Sequence, residues 1–390
     1  MLRSSAEVVI VGAGVIGCST AYHLARAGVS DVALLEKAHV GSGSSSKSAA
    51  MLAMQFCTDE IMLRMARCSY ERFMAFSEEL GASVDFKRTG WMYVATEASV
   101  ERLREQVALL QQLEVGSELL DQARIAELYP ELNTDDLVLG SWGPDDGSLD
   151  PHMVMWGYLN RARALGASLY EETMVTDLQV RRGRVTGVQT PVGTIECDVV
   201  IDAAGPWATQ VSRMSGIDVP LRNSARTIVV TNPMPQIPPE RPFVEDLSTE
   251  WYCRPEVDGV LMGMGRRPVS DPDRVPLDDE QVDQIVEIAV HRVPVLQQAS
   301  LRTAWTGVRP LTADGLPIVG KVPGLEGMLL NCGWGGTGVM MAPIAGQMLC
   351  ELVTTGSIQT IDATPLRLSR FADAALVAAS DDAGNEGGHV

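Results

Sequence analysis

The apolar run Val8-Val9-Ile10-Val11 ends at glycine, too short for a helix and typical of a buried strand. It predicts a strand over Glu7–Val11, then a glycine turn, a helix over Val15–Ala27 and a second strand over Asp31–Glu36. A serine- and glycine-rich loop follows, Gly41 to Ser48. Ile61, Met65, Met74 and Phe76 then recur at helical intervals and predict a helix over about Asp59–Leu80. Val84–Thr96 reads as strand and the charged stretch from Glu97 to Leu113 as helix. Asp150-Pro151 is a helix start, with aspartate as cap and proline in the first turn. That helix runs to Leu165 and stops at Gly166. Strands are predicted at Ser168–Glu171, on both sides of Gly183, and over Ile195–Ala203.

In the second half, Thr231–Arg241 carries four prolines and reads as a linker or rim loop. Trp251–Arg254 and Gly259–Gly263 suit a hairpin, and Asp278–Val293 a helix. Gly327–Cys350 has no charged residue and is long enough to span a bilayer, but its six glycines, proline and asparagine break it. The cluster at Gly333–Gly338 separates a strand-like run from a helix-like one, so the reading is strand, loop and helix with no membrane span. The tail beyond Phe371 is rich in Ala, Asp and Gly and is expected to be mobile.

The chain has 390 residues, enough for two or three domains with large cores. Its formal net charge is −19, which argues against nucleic acid or an anionic membrane as partner. The seven cysteines are scattered, form no CxxC, and fit a reducing, cytoplasmic setting. Five histidines show no ligand spacing, and no metal is expected.

Gly12-Ala13-Gly14-Val15-Ile16-Gly17 matches the GxGxxG pattern. Alone the string is weak. Here it follows a strand, opens a helix, and an acidic residue, Glu36, ends the next strand, which together make a dinucleotide-binding fingerprint. Gly12 permits the tight turn, Gly14 lets amides approach a pyrophosphate, and Gly17 lets helix and strand pack closely. The helix start at Val15 and Ile16 favours the phosphate charge. Glu36 suits ribose hydroxyls. A second buried strand ends in Ala203-Ala204-Gly205, and Gly335-Gly336-Thr337-Gly338 opens a late helix. Both are able to approach the same ligand, or serve strand–helix packing alone.

These pieces are joined by Gly41–Ser46, by Pro206-Trp207, and by the segment Trp305-Thr306-Gly307-Val308-Arg309-Pro310-Leu311-Thr312-Ala313-Asp314-Gly315-Leu316-Pro317-Ile318-Val319-Gly320. Spread over Val8–Leu352, they resemble the D-amino-acid oxidase superfamily of flavoproteins, in its glycine oxidase, sarcosine oxidase and amino-acid dehydrogenase branch. The resemblance implies a mixed α/β fold: a Rossmann-like FAD-binding domain interleaved with an antiparallel-sheet substrate domain that roofs the flavin, helices on its far side. The FAD-binding part would take residues 1–85, 141–220 and 313–372, and the substrate part 86–140 and 221–312, leaving 373–390 as tail.

It further implies that Lys37, Ser44, Ser45, Ser46, Lys47, Ala49, Ala50 and Met51 surround the cofactor with Trp207 and Gly307, that Met54 lies near the ring, and that Val175 meets the adenine through its backbone. Arg309 would grip a substrate carboxylate beside the flavin, a role suited to a planar guanidinium, and Tyr252 would assist. The lysine that some sarcosine oxidases hold over the flavin has no counterpart in Val260–Gly263, which leaves oxygen or another carrier as electron acceptor. The position of the attachment cysteine falls near Gly307, and Gly41–Met51 lacks Cys and His, so noncovalent FAD is expected. The implied activity is oxidation of the C–N bond of a small amino acid or N-alkyl amino acid by hydride transfer to the flavin, giving an imine that hydrolyses. Oxidation of a larger opine-like or secondary-metabolite amine and a role as flavin-carrying subunit of a hetero-oligomeric dehydrogenase remain alternatives, and a homo- or hetero-oligomer is open.

Overall fold

The computed structural model describes residues 2–29, 31–57 and 59–372, so the tail 373–390 lies outside the described residues. Two eight-stranded sheets alternate along the chain. The first runs in the order Ile318–Lys321, Met328–Cys332, Gly193–Asp202, Ser5–Val11, Val32–Leu35, Ser168–Tyr170, with Asp177–Arg181 and Arg184–Thr190 attached as a hairpin to Gly193–Asp202. Its central pairings are parallel, and Val8–Val11 lies beside both Val32–Leu35 and Val199–Asp202. A strand buried on both faces is apolar at every position, which is why Val8-Val9-Ile10-Val11 does not alternate. Val8 and Ile10 face the helices Val15–Arg26, Pro151–Ala164 and Gly338–Thr355; Val9 and Val11 face the hairpin side.

The second sheet runs Leu301–Leu311, Arg222–Thr231, Gly259–Val269, Trp251–Glu256, Phe243–Asp246, Trp91–Ala95, Leu139–Gly143, Glu118–Leu120. Every pairing is antiparallel except that of Phe243–Asp246 with Trp91–Ala95. Alternation sends Met92, Val94, Val244, Trp251, Cys253 and Val260 to a back core with the Asp279–Arg292 helix. It sends Trp91, Tyr93, Phe243, Tyr252, Ile228 and Leu261 to the opposite, front face. Arg292 fixes the helix end behind the sheet: it is 2% exposed and pairs with Asp246 at 2.8 Å and Asp136 at 2.6 Å.

The first strand–turn–helix–strand, the Asp150-capped helix, the Asp278-capped helix and the late strand–loop–helix form within a few residues of their predicted bounds. The helix predicted over Asp59–Leu80 is two, Glu60–Met74 and Phe76–Leu80. The turn at Ala75 brings Phe73 and Phe76 both inward and leaves Met74, predicted as core, 43% exposed. Within Val84–Thr96 only Trp91–Ala95 is strand, and Thr231 ends a strand rather than opening a linker. The strands Arg222–Thr231 and Phe243–Asp246 were not foreseen. Leu139–Gly143 belongs to the second sheet, so a boundary at 141 falls inside it. Among the described residues no helix is long and apolar enough to cross a membrane.

The first helix owes its position to two glycines. Gly12 sits at φ +105°, a conformation that side chains rarely adopt, and a Cβ there would lie 2.6 Å from the Ala203 carbonyl. A Cβ on Gly17 would lie 1.9 Å from the Gly12 carbonyl oxygen. Gly17→Ala is therefore expected to cost about 3 kcal/mol by overpacking, and at roughly 2–4 °C per kcal/mol to lower Tm by roughly 6–12 °C in a thermal scan. An unchanged Tm would mean that the helix moves off the strand freely.

Candidate functional site

The carboxyl ends of the parallel strands and the front face of the second sheet enclose one long cleft of about 1540 Å³. Its lining, drawn from both sheets, suits a cofactor with room beside it. At its entrance the Ser5–Val11 strand ends in the glycine turn. Glu36 is 9% exposed; its two carboxylate oxygens accept from the amides of Ala13 (2.9 Å) and Ala38 (3.0 Å). Both bonds hold the carboxylate at the strand end while it faces the cleft. The Ser45 hydroxyl accepts from the Val15 amide at 3.0 Å, and a Cβ on Gly14 would crowd that oxygen at 3.2 Å. The bare glycine leaves the start of the helix open to the cleft, where its dipole favours an anion. This cradle fits a dinucleotide pyrophosphate.

Lys37 lies over the Trp207 ring at 3.7 Å and pairs with Asp273, which belongs to the loop after Gly259–Val269. These side chains cross the cleft's outer wall from both sheets.

The inner end opens into a smaller chamber, about 650 Å³, against the front face of the second sheet. Phe56, Trp91, Phe243 and Tyr252 form an aromatic wall: Trp91 and Phe243 have ring centroids 4.0 Å apart, and Phe243 stacks on Tyr252 at 5.3 Å. Charged groups project from the same face: Arg226, Glu245, Arg266 and Arg309. Glu250 bonds Arg266 at 2.7 Å and lies 3.9 Å from Arg226. Arg309 has no carboxylate within 4 Å among the described residues. A Cβ on Gly336 would lie 2.9 Å from its Cζ, so the guanidinium lies directly against the glycine loop. Burial, and then the Arg226 charge, push Arg309 down to about 9, still a cation at neutral pH. The Tyr252 hydroxyl is buried with no hydrogen-bond partner, and burial raises its pKa.

Of the residues singled out in the sequence, Gly12, Gly14, Val15, Ile16, Glu36, Lys37, Ser44, Ser45, Lys47, Ala49, Val175, Ala203, Ala204, Gly205, Trp207, Tyr252, Gly307, Arg309, Gly335, Gly336 and Gly338 line the long cleft. Ala50, Met51 and Thr337 line the inner chamber. Gly17 and Ser46 line neither: Gly17 packs on Gly12, and the Ser46 hydroxyl donates to the Gly41 carbonyl at 2.7 Å. Met54 is turned away too, its amide held by Asp146 at 2.8 Å. The sequence reading missed Arg226, Glu245, Arg266, Asp273 and, Tyr252 apart, the aromatic wall. Alternation along Arg222–Thr231 and Phe243–Asp246 was the available signal, but without a partner strand it does not say which face is the site.

The model of the family described as "FAD dependent oxidoreductase", DAO, matches residues 7–352. The mitochondrial sarcosine dehydrogenase of Mus musculus is 32% identical over 372 residues, 91% of this chain and 40% of that protein; the chain thus spans less than half the length of that relative. Among solved structures, L-proline dehydrogenase from P. horikoshii superposes with a TM-score of 0.87 at 27% identity, covering 95% of this chain and 99% of that one. Glycine oxidase from Geobacillus kaustophilus gives 0.86 at 27% identity, covering 94% and 99%. The fold, the dinucleotide cradle and the matched residues together place this chain in the DAO family of FAD-dependent oxidoreductases.

Proposed function

We propose that this chain oxidises the C–N bond of a small amino acid or N-alkyl amino acid. The observation that carries the reading is Arg309: a guanidinium without a carboxylate within 4 Å among the described residues, set beside an aromatic wall in a chamber that opens on the cofactor cleft. A cation so placed calls for an anion from outside, and a substrate carboxylate meets its fork with two parallel hydrogen bonds. The Tyr252 hydroxyl, left without an internal partner, donates to the same carboxylate. The aromatic wall excludes water and takes the small alkyl part.

FAD, when bound, supplies the hydride acceptor. Glu36 holds the ribose hydroxyls, the amides of the Val15–Arg26 helix start hold the pyrophosphate, and the Ala203–Gly205 turn and Gly335–Gly338 loop flank the rest. The cofactor is held without a covalent bond. The cysteine in the wall, Cys332, is buried and its thiol is pushed well above its ordinary pKa by burial, which keeps it unreactive. In the main, residues 1–85, 141–220 and 313–372 serve the cofactor and 86–140 and 221–312 the substrate, save that all of Leu139–Gly143 goes with the substrate sheet. Seven free cysteines support a reducing compartment such as the cytoplasm.

Anaerobic bleaching of the flavin by a panel of glycine, N-methylglycine, N,N-dimethylglycine and proline tests the activity without assuming an acceptor; no bleaching by any α-amino acid would refute it. Acid precipitation is expected to release the yellow colour into the supernatant, whereas colour retained in the pellet would show a covalent link. Glu36→Ala removes a charged acceptor worth about 1.5–3 kcal/mol, so the Kd for FAD in a reconstitution titration should rise by roughly 10- to 150-fold. Arg309→Met should raise the substrate Kd about 100-fold or more, with the flavin spectrum and Tm nearly unchanged, and Arg309→Lys should restore only part. Wild-type reduction kinetics in Arg309→Met would place the carboxylate elsewhere.

A further inference from the structure

We propose that Glu245 receives the substrate's ammonium group and takes its proton, while Arg309 holds the carboxylate of the same molecule. The inference rests on the amino-acid reading above and assigns a role to a residue that reading leaves unused.

The placement follows from strand alternation. In Phe243–Asp246, Val244 turns to the back core and Asp246 to Arg292, so Phe243 and Glu245 face the chamber. Glu245 stands opposite Tyr252 on one neighbouring strand and Tyr93 on the other. The charge pairing in the chamber is incomplete in a specific way. Glu250 serves Arg266 and Arg226. Arg309 then remains a cation without an anion, and Glu245 an anion without a hydrogen bond or ion pair among the described residues. The two lie in one chamber yet further than 4 Å apart. A guanidinium and a carboxylate, both half-buried and held apart in one chamber, complement a zwitterion whose own two charges are separated by a short carbon bridge. Trp91, Phe243 and Tyr252 pack on one another in the wall that Glu245 shares, which limits the water able to reach its carboxylate.

An amine can release hydride from its α-carbon only with its nitrogen lone pair free. The ammonium N–H bond breaks, its proton passes to a Glu245 carboxylate oxygen, and the bonding pair stays on nitrogen as the lone pair. Total charge in the chamber is unchanged by this transfer. Burial pushes Glu245 up to about 7, with Arg226 and Arg309 pulling the other way, Glu250 adding to the rise and Arg102 opposing it. Tyr93 and Tyr252, also against it, are raised by burial and stay neutral. Glu245 is thus an ionised acceptor above about pH 7 and a better base than an exposed carboxylate.

The test is anaerobic stopped-flow reduction by N-methylglycine across pH, in wild type, Glu245→Gln and Glu245→Asp, with Tm and flavin spectrum as controls for folding. In wild type the reduction rate over Kd should rise with pH through a group near 7. Glu245→Gln should lose that inflection and fall about 100-fold near neutral pH. Its deficit should shrink toward about pH 10, where the amine arrives already deprotonated. Glu245→Asp should keep the inflection at reduced rate. A deficit constant across pH, or an unchanged inflection in Glu245→Gln, would overturn the proposal while leaving the amino-acid reading intact. If wild type itself is reduced by no amino acid, that reading falls first and Glu245 with it.

Discussion

A half-buried guanidinium with no carboxylate within 4 Å among the described residues is the group around which the interior is arranged. Arg309 stands at the meeting of the two sheets, on the edge strand of the second and against the glycine loop that starts a helix over the first. Only a loop without side chains leaves it space at that point, which ties Gly336 to the arginine as firmly as to the cofactor. The second unusual choice follows from the first. Arg226 and Arg266 are near enough to repel Arg309, and Glu250 pairs with them without reaching across to the charge kept for the ligand. A chain with net charge −19 thus keeps a small positive chamber by assigning its carboxylates selectively.

The cofactor half was legible because its physics is local. A strand, a glycine turn, a helix and an acidic strand end lie within 36 residues, and each constrains the next. Gly12 and Gly17 could be read as structural necessities before any contact was known, and their contacts with Ala203 and with each other bear this out. Asp150 was likewise legible as a cap, and it accepts from amides two and three residues ahead.

The substrate half was less legible because its strands make sense only together. Arg222–Thr231 mixes Arg, Asn, Ser and Thr with Ala, Ile and Val, a pattern that suits a loop as readily as a strand lining a polar chamber. Its identity comes from Leu301–Leu311 and Gly259–Val269 on either side, contributed from far along the chain. Glu245 and Arg226 belong to such strands, and nothing near them in sequence marks them. Arg309 and Tyr252 were found through the resemblance of whole segments, since neither stands in a short motif of its own.

The helix Val15–Arg26 rests against Gly338–Thr355, and the strand Gly193–Asp202 is completed by Met328–Cys332. The fingerprint therefore emerges from the ribosome more than 300 residues before the helix that covers it. At the usual speed of synthesis, roughly 5–20 residues per second, that is a wait of roughly 15–60 s with an apolar helix face uncovered. The nascent chain has to be shielded from aggregation over that interval, and the flavin cradle cannot reach its final form until Gly338–Thr355 has been made. Cofactor loading in this architecture accordingly waits on the synthesis of Gly338–Thr355, not on that of the fingerprint itself.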